Sequence, residues 1–195
     1  QDNKGTRLSE HDWWKIFIEA LKVRQKEAVA LPVHLSQKVE ETAQKRGLNV
    51  RFTKLEPRYW MEAATELGLS VSRDEGEFFP VIEPLASIGE ILTVLSSERA
   101  VLPGGEEATH LKTAKVLCSW DNKGRVMRKL MENADPSRTL YFNGIKEQLG
   151  SGWVLAIPDD DEPVFRLYSE AETEAEATEL IQYYTDLIRR FEREE

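Results

Sequence analysis

The sequence predicts an α/β domain, a parallel-type sheet with flanking helices, followed by a small α+β domain with a mainly antiparallel sheet and helices on one face. Three observations carry this reading. Up to residue 67, helical and strand-like stretches alternate as α, β, α, β, α, the order of parallel strands with helices laid against them. From residue 113 onward a strand and a helix precede short apolar runs separated by Asn143-Gly144, by Gly150-Ser151-Gly152 and by the stretch from Pro158 to Pro163, which are turns between antiparallel neighbours. In between, residues 96 to 112 lose periodicity and contain Pro103, Gly104 and Gly105. The domains are accordingly read as 1–98 and 113–195, with a linker over 99–112.

Bulk composition narrows the function classes. The 195 residues are 41% hydrophobic and 31% charged, which suits a globular chain with a real core. A net charge of −9 argues against a broad nucleic-acid footprint, which needs a basic surface. No apolar run has the length of a membrane span, and the N-terminus lacks a basic-then-apolar signal peptide. Cys118 is the single cysteine, so no disulfide framework exists and a reducing, cytoplasmic setting is expected. His11, His34 and His110 lack metal-ligand spacing with Cys118. Gln1 in place of Met points to a processed or excised chain.

In the first domain, Ser9 and Asp12 form a capping-box-like pair before Trp13, Phe17 and Leu21, which recur at helical spacing over residues 10 to 25. Adjacent Trp13 and Trp14 read as a stacking platform or as packing; packing is the ordinary fate of an apolar stripe. Ala28 to Val33 is a buried strand, and residues 35 to 46 a helix with acid early, base late and Gly47 at its end. Val50 and Phe52 alternate as in a strand, and Pro57 opens a helix carrying Trp60, Ala63, Ala64 and Leu67. Arg73 to Glu77 is a polar turn, after which Leu85, Ile88, Ile91, Leu92 and Leu95 resume a helical pattern.

In the second domain, Thr113 to Trp120 reads as a strand, Asp121 as the N-cap of the next helix, and Val126, Met127, Leu130 and Met131 as its buried face. Leu140 to Gln148 folds as a hairpin about Asn143-Gly144. Trp153 to Ile157 and Val164 to Tyr168 are neighbouring strands, and the loop between them holds Asp159, Asp160, Asp161 and Glu162 at a sheet end, where loops carry function. Thr173 and Glu176 make a capping box for a terminal helix with Ala177, Ile181, Tyr184, Ile188 and Phe191 on one face.

The stretch GWVLAIPDDDEPVFRLYSEAETEAEATEL, residues 152 to 180, resembles the last domain of the phosphohexomutases, the phosphomannomutase and phosphoglucomutase family. That family has an aromatic-apolar strand, a loop close to R-P-S-G-T-E-P, an apolar strand with an Arg, and a Glu/Ala-rich helix. Pro158, Glu162, Pro163 and Arg166 match. Ile157 stands where the family has Arg, and Asp159, Asp160 and Asp161 stand where it has Ser, Gly or Asn, and Thr. The family loop grips the phosphate of a sugar; hydroxyls, amides and a guanidinium suit an anion, whereas three carboxylates oppose one. The earlier region resembles the family's third domain. Glu75, Gly76 and Glu77 then fall at its sugar-reading G-E-x-S-G-x loop, and Arg58 with Tyr59 at a basic-aromatic pair. A solvated acidic turn is the competing reading of residues 73 to 77.

The resemblance spans about residues 10 to 193, the third and fourth domains of a four-domain enzyme, and the details look most like versions fused to mannose-1-phosphate guanylyltransferase. It implies hexose phosphates (mannose or glucose 1-/6-phosphate) as ligands, upstream mutase domains or a fused nucleotidyltransferase as partners, and Mg²⁺ for the intact enzyme. No catalytic residue is assigned here: the family's T-A-S-H-N-P serine loop and D-x-D-x-D magnesium loop do not occur in these residues. Adjacent carboxylates fan apart, so Asp159 to Glu162 is read as a solvated acidic loop and no cofactor is expected in this chain. Three readings stand: the substrate-recognition half of a mutase-like enzyme, a degenerate non-catalytic module that supports an attached nucleotidyltransferase, and an unrelated α/β binding module.

Overall fold

The computed structural model describes residues 10–23, 25–67 and 109–194. The chain divides into two compact units, Gln1–Glu106 and Glu107–Glu195. Ser9, the sugar-loop positions Glu75, Gly76 and Glu77, and the helical pattern after Pro84 lie outside the described residues.

The first unit opens with α1, Glu10–Val23. Strands β1, Ala28–Pro32, and β2, Asn49–Thr53, pair in parallel, Ala28 opposite Asn49 through Pro32 opposite Thr53. Helix α2, Gln37–Lys45, connects them, and α3, Pro57–Glu66, follows with its proline in the first turn. The predicted α, β, α, β, α order is therefore the order found. Helix α2 starts later than residue 35 because the Ser36 hydroxyl accepts from Lys38 N and sets the N-cap. Trp14, Phe17, Ile18 and Leu21 of α1 pack with Val29, Leu31, Val39 and Leu48 in one core. Trp14 meets Phe17 and Trp60 edge to face at 5.5 and 5.7 Å, so this tryptophan is core rather than a stacking platform.

The second unit is a five-stranded antiparallel sheet in the order β3-β7-β6-β5-β4. Its strands are β3, His110–Leu117; β4, Thr139–Tyr141; β5, Ile145–Leu149; β6, Gly152–Pro158; and β7, Val164–Ala171. Helices α4, Trp120–Asn133, and α5, Glu174–Arg193, supply Val126, Leu130, Tyr184, Ile188 and Phe191 to a core shared with Val116, Ile145, Val154, Ala156, Phe165 and Leu167 of the sheet. Alternation along a strand places all these sheet residues on the helix-covered face. The hairpin between β4 and β5 turns through Asn143 at φ 54° and Gly144 at φ 150°, as the dipeptide predicts. The capping box of α5 is present in both directions, Glu176 N to the Thr173 hydroxyl and Thr173 N to the Glu176 carboxylate, each at 3.2 Å.

Further bounds differ from the sequence reading, β7 running on to Ala171 among them. Strand β3 begins at His110, inside the stretch read as linker, because His110, Leu111 and Lys112 pair with Ala171, Glu170 and Ser169. The pairing is long-range, so local periodicity does not carry it. Ser119, not Asp121, caps α4; Trp120 is the first helical residue, and Asn122 N donates to the Ser119 carbonyl at 3.0 Å. Asp121 instead lies in the first turn, where its charge complements the helix dipole. Cys118 is buried, and burial pushes its thiol up to about 11, which keeps it unreactive at neutral pH.

Candidate functional site

The loop between β6 and β7 is anchored by the strands on either side of it. Ile157 pairs with Arg166, and Pro158 with Phe165. On the other side of β7, Lys115 of β3 pairs with Arg166. Lys115, Arg166 and Ile157 thus form a row across three strands, on the sheet face opposite Phe165 and Leu167. Two cations stand side by side at the sheet end, and the acidic loop closes over them.

Asp159 is 7% exposed although it sits in a loop. Its Oδ1 accepts from Asp161 N at 2.9 Å and from Glu162 N at 2.7 Å, and its Oδ2 accepts from Arg166 Nε. Burial alone would raise the Asp159 carboxyl, but the Arg166 hydrogen bond and the two loop N–H groups outweigh it and hold the carboxyl below the usual aspartate range. The same hydrogen bond raises the Arg166 guanidinium further above its ordinary value. Glu162 takes the Lys115 ammonium at 2.7 Å, and Arg166 Nη2 stands 3.9 Å from it. Asp160 and Asp161 point outward and are exposed.

The loop backbone is fixed from beneath. Asp159 N donates to the Val164 carbonyl at 3.0 Å, Val164 N to the Glu162 carbonyl at 2.8 Å, and Cys118 N to the Pro163 carbonyl at 2.9 Å. Lys123, only 8% exposed, sends its ammonium to the carbonyls of both Asp159 and Glu162 and lies 3.7 Å from the Trp120 ring centroid. An ammonium has three donors, and carbonyls with an aromatic face satisfy it without a carboxylate.

The seven loop positions singled out in the sequence, Pro158 to Pro163 with Arg166, therefore come together, but not as a wholly solvated acidic loop. Asp159 is internal and Glu162 is paired; only Asp160 and Asp161 match that expectation. Arg58 belongs to the first unit, where its Nη2 donates to the Tyr59 hydroxyl at 2.8 Å and its guanidinium lies 4.6 Å from the Tyr59 ring, with Lys54 4.6 Å from the same ring. Sequence reasoning missed Lys115 and Lys123. A lysine near the first turn of α4 opposes the helix dipole, and that local conflict was the signal for Lys123. The acidic loop does not fit a divalent cation, because both Asp159 oxygens accept from N–H donors and Glu162 faces Lys115. Among the described residues no group of three or more His, Cys, Asp or Glu side chains is placed to hold a metal ion, and no helix is long and apolar enough to cross a membrane.

The described residues thus comprise a unit with parallel strands and flanking helices and a second unit whose antiparallel sheet carries helices on one face and an acidic loop over a Lys–Arg row. No family model matches the chain. It is 38% identical over 79 residues to a probable phosphoglucosamine mutase of Methanopyrus kandleri, covering 38% of this chain and 17% of that protein. It is 27% identical over 127 residues to a phosphopentomutase of Thermococcus kodakarensis, covering 60% of this chain and 28% of that protein. A phosphoglucomutase/phosphomannomutase family protein of Burkholderia thailandensis superposes over 94% of this chain and 42% of its own, with TM-score 0.70 at 13% identity. The N-acetylphosphoglucosamine mutase of Aspergillus fumigatus, in complex with GlcNAc-6P and magnesium, superposes over 93% of this chain and 43% of its own, with TM-score 0.55 at 13% identity. The fold is that of the phosphohexomutases, and stretches of the chain are similar in sequence to the two mutases just named. It spans less than a third of the curated relatives it matches.

Proposed function

We propose that this chain is the C-terminal portion of a phosphomannomutase/phosphoglucomutase-like protein of nucleotide-sugar (GDP-mannose type) metabolism, and that in it this portion is a non-catalytic module supporting an attached sugar-phosphate nucleotidyltransferase. One observation carries the choice. The groups in this loop suited to an anion, Arg166 and the N–H groups of Asp161 and Glu162, already hold the Asp159 carboxylate. A sugar phosphate approaching the same groups meets a fixed negative charge in the first place it needs, with Asp160 and Asp161 beside it. The relatives' names support the mutase-like part of this reading, and the GlcNAc-6P bound by the Aspergillus protein makes hexose phosphate the ligand class to test. Mg²⁺, expected for an intact enzyme of this kind, has no role in this loop.

The second reading, a substrate-recognition half that still binds hexose phosphate, keeps support from the matching Pro158, Glu162, Pro163 and Arg166. Titration of the chain with mannose 1-phosphate and glucose 1-phosphate, followed by amide NMR, separates the two. The module reading expects no displacement at residues 157 to 166 at millimolar ligand. Saturable shifts there favour the substrate-recognition half. In a longer protein carrying the nucleotidyltransferase, deletion of residues 107–195 is expected to alter oligomeric state or nucleotidyltransferase activity; an unchanged partner contradicts the module reading.

A further inference from the structure

We infer that the corner between β3 and α4 is a docking surface for a partner polypeptide, and that it takes an aliphatic segment carrying an arginine. The inference deepens the module reading, since a module that supports an attached domain needs a surface to meet it, and it rests on that reading.

Leu117, the last residue of β3, is 75% exposed, and Trp120, the first residue of α4, is 51% exposed. They are the two most exposed large apolar side chains among the described residues. Single exposed apolar residues are ordinary, but these two belong to one surface. Exposed Pro163 adjoins them: its carbonyl accepts from Cys118 N, the residue after Leu117, and Val164, the next residue along, pairs with Leu117. Trp120 borders the same loop through Lys123, whose ammonium lies 3.7 Å from the ring centroid and bonds the carbonyls of Asp159 and Glu162. Leu117, Pro163 and Trp120 thus form an apolar step along the loop.

The rim of this step decides what it takes. Asp121 follows Trp120, and Asp160 and Asp161 stand in the loop; these three carboxylates are exposed, and none is paired with a cation among the described residues. The cations at the loop are already committed, Lys115 to Glu162, Arg166 to Asp159, and Lys123 to the two carbonyls. Unpaired carboxylates beside an apolar step repel an anionic partner and favour a cation with an apolar body. Among cationic side chains arginine fits best. Its stem covers apolar surface, its guanidinium forks onto a carboxylate, and it stacks on an indole. Tryptophan and arginine are also the side chains that most often anchor a protein interface.

The test titrates the chain with an amidated pentapeptide of alternating leucine and arginine, and reads the Trp120 indole N–H and the amides of Asp121, Asp160 and Asp161. Saturable shifts at all of these are expected. Trp120→Ala, read at the aspartate amides, is expected to weaken binding about tenfold or more, as truncation of an aromatic anchor does. Leu117→Ser is the second apolar variant, should loss of the ring disturb Lys123. Asp160→Asn combined with Asp161→Asn is expected to weaken binding several-fold and to flatten its salt dependence. Silence up to millimolar peptide, in a chain whose amide spectrum is dispersed, overturns the inference and leaves the module reading standing. Equal shifts with a leucine–glutamate pentapeptide overturn it, because charge complementarity then plays no part. Equal shifts with a serine–arginine pentapeptide overturn it too, because the apolar step then plays none. Movement of the same resonances with chain concentration alone assigns the corner to a second copy and also overturns the inference. Failure of the module reading shows in the deletion variant and not in these resonances.

Discussion

The Asp159 carboxylate and the Arg166 guanidinium face each other across the β6–β7 loop, with Asp159 buried and bonded by Oδ2 to Arg166 Nε. The pair spans one turn of chain between antiparallel strands, so it ties the loop to the row of cations rather than to its own tip. Removing the charge alone tests its worth. Asp159→Asn keeps an oxygen for the two loop N–H groups but leaves Arg166 with only the more distant Glu162 carboxylate, and is expected to cost about 1–3 kcal/mol by urea unfolding. Because the folded-state carboxyl lies below its unfolded value, its contribution is complete above about pH 4 and fades as pH falls through the lowered value. The acid limb of the native chain should thus be steeper than that of the variant. Asp135, Glu174 and Glu194, which are also lowered, keep part of the limb in both. Superimposable acid limbs would contradict the assignment.

Lys123 is expected to matter more than its position near a helix start implies. Lys123→Met retains the stem over Trp120 but takes the ammonium from the Asp159 carbonyl and leaves the Glu162 carbonyl with Val164 N alone, a loss of about 1–3 kcal/mol. Trp120 fluorescence should change with it, since the ammonium over the ring is gone. A variant as stable as the native chain would show that water replaces the ammonium at no cost.

The turn into β6 distinguishes space from backbone conformation. Gly150 has φ +61° with nothing within 4 Å of an added Cβ, whereas a Cβ on Gly152 would stand 2.4 Å from the Glu170 carbonyl oxygen. Gly150→Ala should cost about 1 kcal/mol, from the left-handed conformation alone. Gly152→Ala must push β6 from β7 and should cost about 3 kcal/mol, at the upper end of overpacking penalties. Thermal melts of the two variants give the order directly; a reversed order would contradict the β6–β7 register.

A buried hydroxyl contributes to the alkaline side, beside the raised Cys118 thiol, which is present in native chain and variant alike. Tyr184 is 1% exposed and donates to Glu147 Oε2 at 2.8 Å. Burial first, and then Glu147, raise its hydroxyl well above the usual tyrosine value. The group is protonated in both states at neutral pH, so its contribution is full below an unfolded value of about 10 and is lost as pH rises beyond it. Tyr184→Phe should remove that part of the alkaline decline while costing about 1–3 kcal/mol at pH 7, because it leaves a buried carboxylate oxygen without its donor. Stability profiles from pH 7 to 11 check both signs.

Much of this architecture was legible in the chain itself. The α, β, α, β, α order, the Asn143-Gly144 hairpin and the Thr173–Glu176 capping box are local signals, and each appears where its residues placed it. The early start of β3 was not legible, because His110 to Lys112 join the sheet only through β7, more than fifty residues away. The interior of the loop was not legible either. A run of four acids reads as solvated when nothing shows which of them faces a cation, and Lys115, Arg166 and Lys123 meet the loop from three separate elements. Sequence pattern drew attention to the loop; tertiary pairing decided that one of its carboxylates is held internally.

A paired, internal Asp159 anion is read out at its own carboxyl by a ¹³C titration of the native chain. The account predicts that the Asp159 carboxyl titrates below the ordinary aspartate range, that the Asp161 and Glu162 amide protons move with the same midpoint, and that Arg166→Gln raises that midpoint. An Asp159 midpoint in the ordinary range near 3.9, with those amides unmoved and indifferent to Arg166, would contradict it.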